Sequence, residues 1–515
     1  MEAGTLAGRY SKLETTRQPY LERARDCAKL TIPALMPPDG SSGSTQFITP
    51  YQSMGARGVN NLASKLLLSL IPTNSPFFRL QLDDFTAEEL TKRKDMKAEL
   101  EQGLSKVERA MMSEIETMAL RVSGFEGFKQ LLVAGNALIY TPDSGGVRVF
   151  RMDHYVVKRD PSGNLLEAIL KEEIAPATLP ADVQKMLGDD IKDKDGSFKS
   201  TALYTSCCLR DGKWYLYQEI AGKAIPGTEA TYPLDSCPMI ALRFIRVDGE
   251  DYGRSYVEEY FGDLKSLEGL EKAILFGAAA AAKVLFLVNP NGTTKPKDVA
   301  EAPSGSVRSG NANDVSVLQM QKFADFRVAL EKTVDLKERL AQAFLLHSSV
   351  QRNGERVTAE EIRYMAQELE TALGGIYSIM AQEFQLPLVN RVMAVMQRKG
   401  KLPRLPKGTV KPVIVTGLEA LGRGHDLNKL DLFLQGIPPE AKQEAYARVD
   451  WGKYLTLRAA HLGISQDGLI KSAEQVAQEQ TQAQQQAMAQ SVVDKGAGPA
   501  IKAAADAMAQ QPPQQ

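Results

Sequence analysis

The sequence predicts an α+β protein that is predominantly helical, and three observations carry that prediction. Apolar residues recur at i, i+3 and i+4 over several long stretches, the pattern of helices with one buried face. Between about residues 137 and 247 the period drops to two, with turn signals at Pro161-Ser162-Gly163-Asn164, Asp211-Gly212 and Pro226-Gly227, as in a set of short strands. After Asp248-Gly249 the helical period returns, interrupted by one segment rich in Pro, Gly, Asn, Lys and Ser. Helices set apart from a strand-rich middle define the α+β class.

The rest is organised around residues 326–397, which read as helix, polar loop and much longer helix. Within the loop, His347 to Val357, Asn353-Gly354 is a turn pair that tolerates positive φ. Thr358 then caps a new helix, Glu361 holds the capping-box position, and Glu360 and Glu361 suit the dipole of the first turn. Ile362, Met365, Leu369, Leu373, Ile376, Met380 and Phe384 form its apolar stripe. A helix over 358–397 would span ~60 Å at ~1.5 Å per residue. Pro387 predicts a kink or break. Gly374-Gly375, costing ~1 kcal/mol each against Ala, predicts close packing or a bend.

The other elements follow in order. Residues 13–30 form an amphipathic helix stopped by Thr31-Ile32-Pro33, and 37–44 a flexible loop. Residues 55–70 are a second helix with Leu62, Leu66 and Leu70 in register, ended by Pro72 and Pro76. A strand at 77–82 precedes a long charged helix over 86–120, with a break expected near Gly103. After a helix at 125–134, strands are expected at 137–140, 147–150, 155–158, 165–171, 202–210, 214–220 and 240–245, with a short helix at 180–187. A helix over 256–283 carries Val257, Tyr260, Leu264, Leu267, Glu271 and Ile274 on one face. Strands at 284–288, 306–308 and 315–318 make the β-like insertion before the helix at 326–344. A strand at 411–415 and helices at 427–434, 439–449 and 451–462 complete the ordered part. The Gln/Ala-rich tail from about 475 reads as a helix fraying into disorder.

Composition bounds the function classes. The 515 residues suffice for several domains, and 43% apolar content with 24% charge is an ordinary soluble profile. A net charge of −1 argues against a tail-type DNA binder; it does not exclude a protein that lets DNA slide past, which should avoid strong phosphate binding because each neutralised phosphate adds affinity. The four cysteines, Cys27, Cys207, Cys208 and Cys237, lack zinc spacing and read as reduced thiols of a protein made in a cytoplasm. The polar start shows no signal-peptide pattern, and the longest apolar run, 273–288, is broken by Lys283 and too short to span a membrane.

Tests for an enzyme fail one by one. No phosphate loop of the G-x-x-x-x-G-K-[ST] kind, no H-E-x-x-H and no G-x-S-x-G is present. Leu421-Gly422-Arg423-Gly424-His425 is only a glycine-rich turn, and His154, His347, His425 and His461 are far apart and read as structural. The segment 189–197 looks like a calcium loop, yet counting back from Gly196 puts Ile191 at the first ligand position and Ala202 at the twelfth. Glu172-Glu173, Glu258-Glu259 and Glu360-Glu361 read as solvated faces or helix starts. The expectation is no enzyme, no metal and no cofactor. A DNA-packaging ATPase or nuclease, the alternative reading, lacks its phosphate loop or clustered acids, and a membrane pore lacks its apolar spans.

Several segments taken together point to a family. They are Gly55-Ala56-Arg57-Gly58 with Asn60-Asn61-Leu62-Ala63-Ser64-Lys65-Leu66, Tyr155-Val156-Val157, and Tyr252-Gly253-Arg254-Ser255-Tyr256 with Glu258-Glu259-Tyr260. Gly354-Glu355-Arg356-Val357-Thr358-Ala359-Glu360-Glu361-Ile362-Arg363-Tyr364, Gly374-Gly375-Ile376-Tyr377-Ser378 and Thr416-Gly417-Leu418-Glu419-Ala420 complete the set. In this order they resemble the portal, or head-to-tail connector, family of short-tailed phages, over about residues 20–425. The resemblance implies a portal fold assembled as a ring of twelve subunits at one capsid vertex of the virion, put together in the host bacterial cytoplasm. The ring encloses a channel for double-stranded DNA in packaging and ejection. The implied partners are the terminase large subunit, the tail adaptor, the major capsid protein, scaffold and internal core proteins, with no membrane insertion.

The family parts fall on the chain as a wing (1–250), first stem helix (251–283), clip (284–320), second stem helix (321–344) and tunnel loop (345–357). A long wing helix and return (358–417), a crown (418–475) and the C-terminal tail (476–515) follow. Arg352 and Arg356, with Gln351 and Asn353 beside them, are expected at the channel constriction, where the arginines meet phosphate or pair with Glu355 and the following acids. Lys295, Lys297 and Arg308 are expected in the clip, facing motor or tail, or simply solvated. Glu331, Lys332, Asp335, Lys337, Glu338 and Arg339 suit salt bridges between neighbouring stem helices, or a solvated face. A closed ring demands two different complementary faces on every subunit.

Overall fold

A computed structural model describes residues 4–72, 76–82, 94–192, 196, 198–281, 285–318, 323–346, 375–403 and 410–414, with a few single positions beyond. The chain divides into two units, Met1–Ala420 and Leu421–Gln515. In the second, the described residues include an edge-to-face pair, Trp451 and Tyr454, with ring centroids 5.5 Å apart. Of the helices expected at 427–434 and 451–462 only Leu434, Trp451, Gly452, Tyr454 and Leu455 are described, each of them helical; nearly all the rest of the helices expected between 427 and 462, the Gln/Ala-rich tail apart from Thr481, the loop at 347–357 and the long helix up to residue 374 lie outside the described residues.

The first unit opens with α1 (Leu6–Lys29), which begins earlier than its periodicity indicates. Thr5 accepts the Gly8 N–H at 3.3 Å and the Leu6 N–H reaches Glu219, so the added turn is capped and anchored. Arg17 is buried in the middle of α1; its guanidinium binds the Tyr10 hydroxyl and the carbonyls of Met152, Asp153 and Tyr155. The second helix, α2 (Met54–Leu70), buries Leu62, Leu66 and Leu70 as the pattern predicts. Strand β1 (Phe78–Leu82) is followed by α3 (Lys94–Thr117) and α4 (Leu120–Ala134). The expected break at Gly103 does not occur: that glycine faces open space, so it costs only propensity. The chain turns instead at Ala119, which has φ +52°.

Strands β2 (Asn136–Tyr140), β3 (Arg148–Phe150), β4 (Tyr155–Arg159) and β5 (Leu165–Ile174) follow, then the short helix α5 (Ala181–Leu187). Next come β6 (Thr201–Arg210), β7 (Lys213–Ile220), β8 (Lys223–Ala224), β9 (Ala230–Pro233) and β10 (Met239–Arg243). A six-stranded antiparallel sheet has the order β4-β5-β6-β7-β8, with β9 also on β7. A three-stranded sheet has the order β10-β2-β3. Strands β8 and β9 escaped the sequence reading, because each is too short to show a period of two. The strand expected at 240–245 stops at Arg243, since the next N–H, of Phe244, turns to the carbonyl of Gly135 at 2.9 Å.

The helix expected over 256–283 is divided into α6 (Tyr256–Glu259) and α7 (Phe261–Ala281), with Tyr260 bonding back to Val257. Strand β11 (Leu285–Val288), the short helix α8 (Pro296–Ala300) and β12 (Val315–Leu318) form a hairpin unit with β11 antiparallel to β12. The strand expected at 306–308 is absent: Val307 is 97% exposed, and among the described residues no strand pairs with it. Helix α9 (Phe323–Ala343) returns alongside α7.

The described part of the long helix is α10 (Ile376–Met380), a π turn (Ala381–Gln385) and α11 (Leu386–Arg398). Pro387 neither stops the helix nor stands alone; the turn before it widens instead, a recognised accommodation of a lost N–H. That wide turn sends three successive side chains to three targets. Glu383 pairs with Arg243 of β10, Phe384 meets Phe128 edge-on at 5.8 Å, and Gln385 donates to the last carbonyl of α2, Leu70, at 2.8 Å. Among the described residues nothing lies within 4 Å of a Cβ placed on Gly375, and Gly374 lies outside them. Strand β13 (Val410–Ile414) closes the unit by pairing antiparallel with β1.

Arg243 is 1% exposed at its side chain, and Glu383 is the carboxylate that faces it. We expect Glu383→Ala to destabilise the chain by about 3–5 kcal/mol, because it strands a buried charge. Glu383→Gln keeps an acceptor and should lose less. Chemical denaturation of the two variants measures the difference.

Candidate functional site

The two long helices and the hairpin between them form the part of the chain that the sequence marks for function. Helix α7 enters from Tyr252-Gly253-Arg254-Ser255, and each of these residues has a task. The Tyr252 hydroxyl accepts the Val157 N–H at 3.0 Å, and Gly253 exchanges hydrogen bonds with the Asn136 side chain at 2.8 and 2.9 Å. Arg254 pairs with Glu250 at 2.6 Å, and Ser255 caps α6 by accepting the Glu258 N–H at 2.9 Å.

The end of α9 is held as firmly. The Tyr256 hydroxyl donates to the carbonyl of Ala343 at 2.7 Å, Asn61 donates to those of Phe344 and Leu345 at 3.0 Å, and the Lys65 ammonium to Leu345 at 3.0 Å. A cation on the last carbonyls also suits the negative end of the dipole. Phe344 is fully buried over Gly58, where any Cβ would collide with its ring. Tyr256 and Tyr260 complete the cluster, 5.8 and 5.9 Å from Phe344. Leu345 then takes φ +52°.

Between the helices, Lys337 pairs with Glu271 at 2.6 Å and Arg339 with Asp263 at 3.4 Å. Two of the six charges expected between subunits therefore have partners on α7 of the same chain. Lys332 and Asp335 lie 3.9 Å apart on α9, as do Glu331 and Arg327, and with Glu338 they are exposed. Sequence reasoning missed an apolar set on the outer faces: Val328, Leu330 and Val334 of α9 and Leu275 and Phe276 of α7 are each 50–61% exposed. The signal was there, for α9 carries more apolar residues than the buried stripe Leu336, Leu340 and Phe344 needs.

The hairpin unit is tied by Asp314. Its carboxylate accepts the N–H of Thr293 at 2.8 Å and of Thr294 at 3.1 Å, while the Thr294 hydroxyl joins Asn311 at 2.8 Å. Lys295 precedes α8, Lys297 lies on it 3.9 Å from Glu301, and Arg308 is exposed on the loop with Val307. Gln351, Arg352, Asn353 and Arg356 lie outside the described residues. Among the described residues no group of three or more His, Cys, Asp or Glu could hold a metal ion, and no helix is long and apolar enough to cross a membrane. The four cysteines are free thiols.

Comparison with known proteins gives the class. Residues 3–470 match the family described as bacteriophage head to tail connecting protein, and the chain belongs to it. The portal protein of Escherichia phage T7 is 42% identical over 509 residues, covering 98% of this chain and 93% of its own. The portal protein of Enterobacteria phage T3 is 43% identical over 477 residues, covering 90% and 88%. Among solved structures, a chain from the neck of an empty gene transfer agent particle aligns over 80% of this chain and 90% of its own at TM-score 0.37 and 12% identity, a likeness too slight to bear on function.

The Asp314 carboxyl is held below the usual carboxylate value of 3.8, chiefly by the N–H of Thr294. A depressed folded value means that the stabilisation is in place above the ordinary value and is lost as pH falls through the folded one. Hydrogen exchange at Thr293 and Thr294 should keep constant protection from pH 7 to about 4 and lose it below. Asp314→Asn should abolish that step.

Proposed function

We propose that this chain is the portal subunit of a short-tailed phage. Copies close a ring, expected to be of twelve, at one capsid vertex of the virion, around a channel for double-stranded DNA. The near full-length likeness to portal proteins carries the reading. The role is structural, and the relatives lend no support to a packaging enzyme. On this reading residues 1–250 are the wing, α7 and α9 the stem, 284–320 the clip, 345–357 the tunnel loop, 358–417 the long wing helix with its return, 418–475 the crown and 476–515 the tail. The clip, with Lys295, Lys297 and Arg308, faces the terminase large subunit and then the tail adaptor. Capsid protein, scaffold and internal core proteins meet the other surfaces, and assembly takes place in the host cytoplasm.

The exposed faces of the stem support this assignment. A closed ring needs two unlike faces per subunit. Leu275 and Phe276 with Lys272 on α7, and Val328, Leu330 and Val334 with Glu331, Asp335 and Glu338 on α9, are two such faces. Lys337 and Arg339 each bridge the two helices through an ion pair. Electron microscopy with mass determination should show rings with a central hole and a mass near twelve chains. Val334→Asp, on the exposed face, should yield monomers of unchanged thermal stability. Persistent monomers of the wild-type chain, with scaffold protein present, would remove the ring reading.

At the tunnel loop, Arg352 and Arg356 are assigned to phosphate contact. Particles carrying Arg352→Ala and Arg356→Ala with intact rings should fill or retain DNA less well in a packaging assay. Normal filling and retention would leave these arginines to ion pairs with Glu355 and its neighbours.

A further inference from the structure

Four thiols are unused by the reading above, and two of them are neighbours. Cys207 on β6 and Cys237, two residues before β10, have their sulphur atoms 3.8 Å apart. Cys207 is fully buried and Cys237 half-buried. The Cys237 thiol donates to the carbonyl of Met239 at 3.1 Å, which leaves its sulphur to accept from Cys207. The hydrogen bond to Cys237, with burial, pushes the Cys207 thiol well up, so it remains protonated. The backbone around Cys237 is fixed on both sides: Trp214 donates to the carbonyl of Leu234 at 2.9 Å, and Thr141 to that of Pro238 at 2.9 Å.

We propose that Cys237 and Cys207 are a peroxide-sensitive pair, in which Cys237 is oxidised first and Cys207 then closes a disulfide between the six-stranded sheet and the strand entering the three-stranded one. The asymmetry sets the order, because only the half-buried sulphur is open to a small oxidant. The Cys237 thiolate attacks a peroxide oxygen; an S–O bond forms, the O–O bond breaks, and hydroxide leaves and takes up the thiol's proton as water. Cys207 then attacks the Cys237 sulphur; the S–S bond forms, the S–O bond breaks, and the hydroxyl leaves as water with the Cys207 proton. The two sulphurs together lose two electrons and the peroxide gains them. To form the bond the sulphurs must close from 3.8 Å to about 2.05 Å. The other two cysteines are set apart from this chemistry. Burial pushes the Cys27 thiol up to about 11, and Cys208, the strand neighbour of Cys207, points to the opposite sheet face. The inference does not depend on ring assembly, so it stands or falls separately from the portal reading.

The experiment treats the full-length protein with hydrogen peroxide and counts thiols after denaturation. We expect four thiols to become two, an intact mass lower by two hydrogen atoms, a Cys207–Cys237 linked peptide, and a rise in melting temperature reversed by dithiothreitol. Cys237→Ser, at the half-buried position, should abolish thiol loss under the same dose. Cys207→Ser should let Cys237 proceed to sulfinic acid without a link. Survival of all four thiols, or sulfinic acid at Cys237 of the wild-type protein without the linked peptide, would overturn the proposal.

Discussion

The closure of α9 is the contact on which the arrangement of the first unit depends. The last carbonyls of a helix have no partner of their own, and burying them unpaired is costly. Here Ala343, Phe344 and Leu345 are served by Tyr256, Asn61 and Lys65, from two segments far away in sequence. Phe344 can approach only because residue 58 has no side chain. One helix end thus ties together α2 and the start of the α6–α7 region. The segments that carried the family resemblance, around Gly58, Asn61 and Tyr256, are the parts of this contact.

Buried arginines do the corresponding work in the α/β body. Arg17, Arg243 and Arg391 are the largest fully buried side chains. Each belongs to one element and binds groups on another: Arg17 the carbonyls before and in β4, Arg243 the π turn, and Arg391 of α11 the Thr141 carbonyl and Asp143, beneath the ring of Tyr232 at 4.6 Å. A guanidinium offers five donors in a fixed planar fork, against three on a lysine ammonium, and so serves carbonyls in several directions at once. Such groups add specificity more than stability, since a buried charge tolerates few alternative packings.

Much of this was legible in the sequence where a single face is buried. Leu62, Leu66 and Leu70 were read correctly, as were the strand-rich middle and the presence of two long helices flanking a β-like insertion, because periodicity reports burial directly. Local rules failed where a distant partner decided the outcome. Gly103 lay in an open helix face and did no harm, Pro387 was absorbed by a π turn whose side chains had targets elsewhere, and Ser306-Val307-Arg308 had strand-like alternation but no neighbour. The charges of α9 looked uniform in sequence. Only their placement beside Glu271 and Asp263 separated Lys337 and Arg339 from the exposed remainder.

The pairing of β1 with β13 has a consequence for synthesis. Phe78–Leu82 emerges early from the ribosome, but its hydrogen-bonding partner is Val410–Ile414. At about 5–20 residues per second, the ~330 residues between them take roughly 16–65 s to translate. Throughout that interval a strand that opens with Phe78, directly after Phe77, has an unpaired edge, the kind that invites pairing with another nascent chain. Polysomes making this protein would hold several such edges close together, so its yield should be more sensitive to chaperone supply during translation than to the stability of the finished fold.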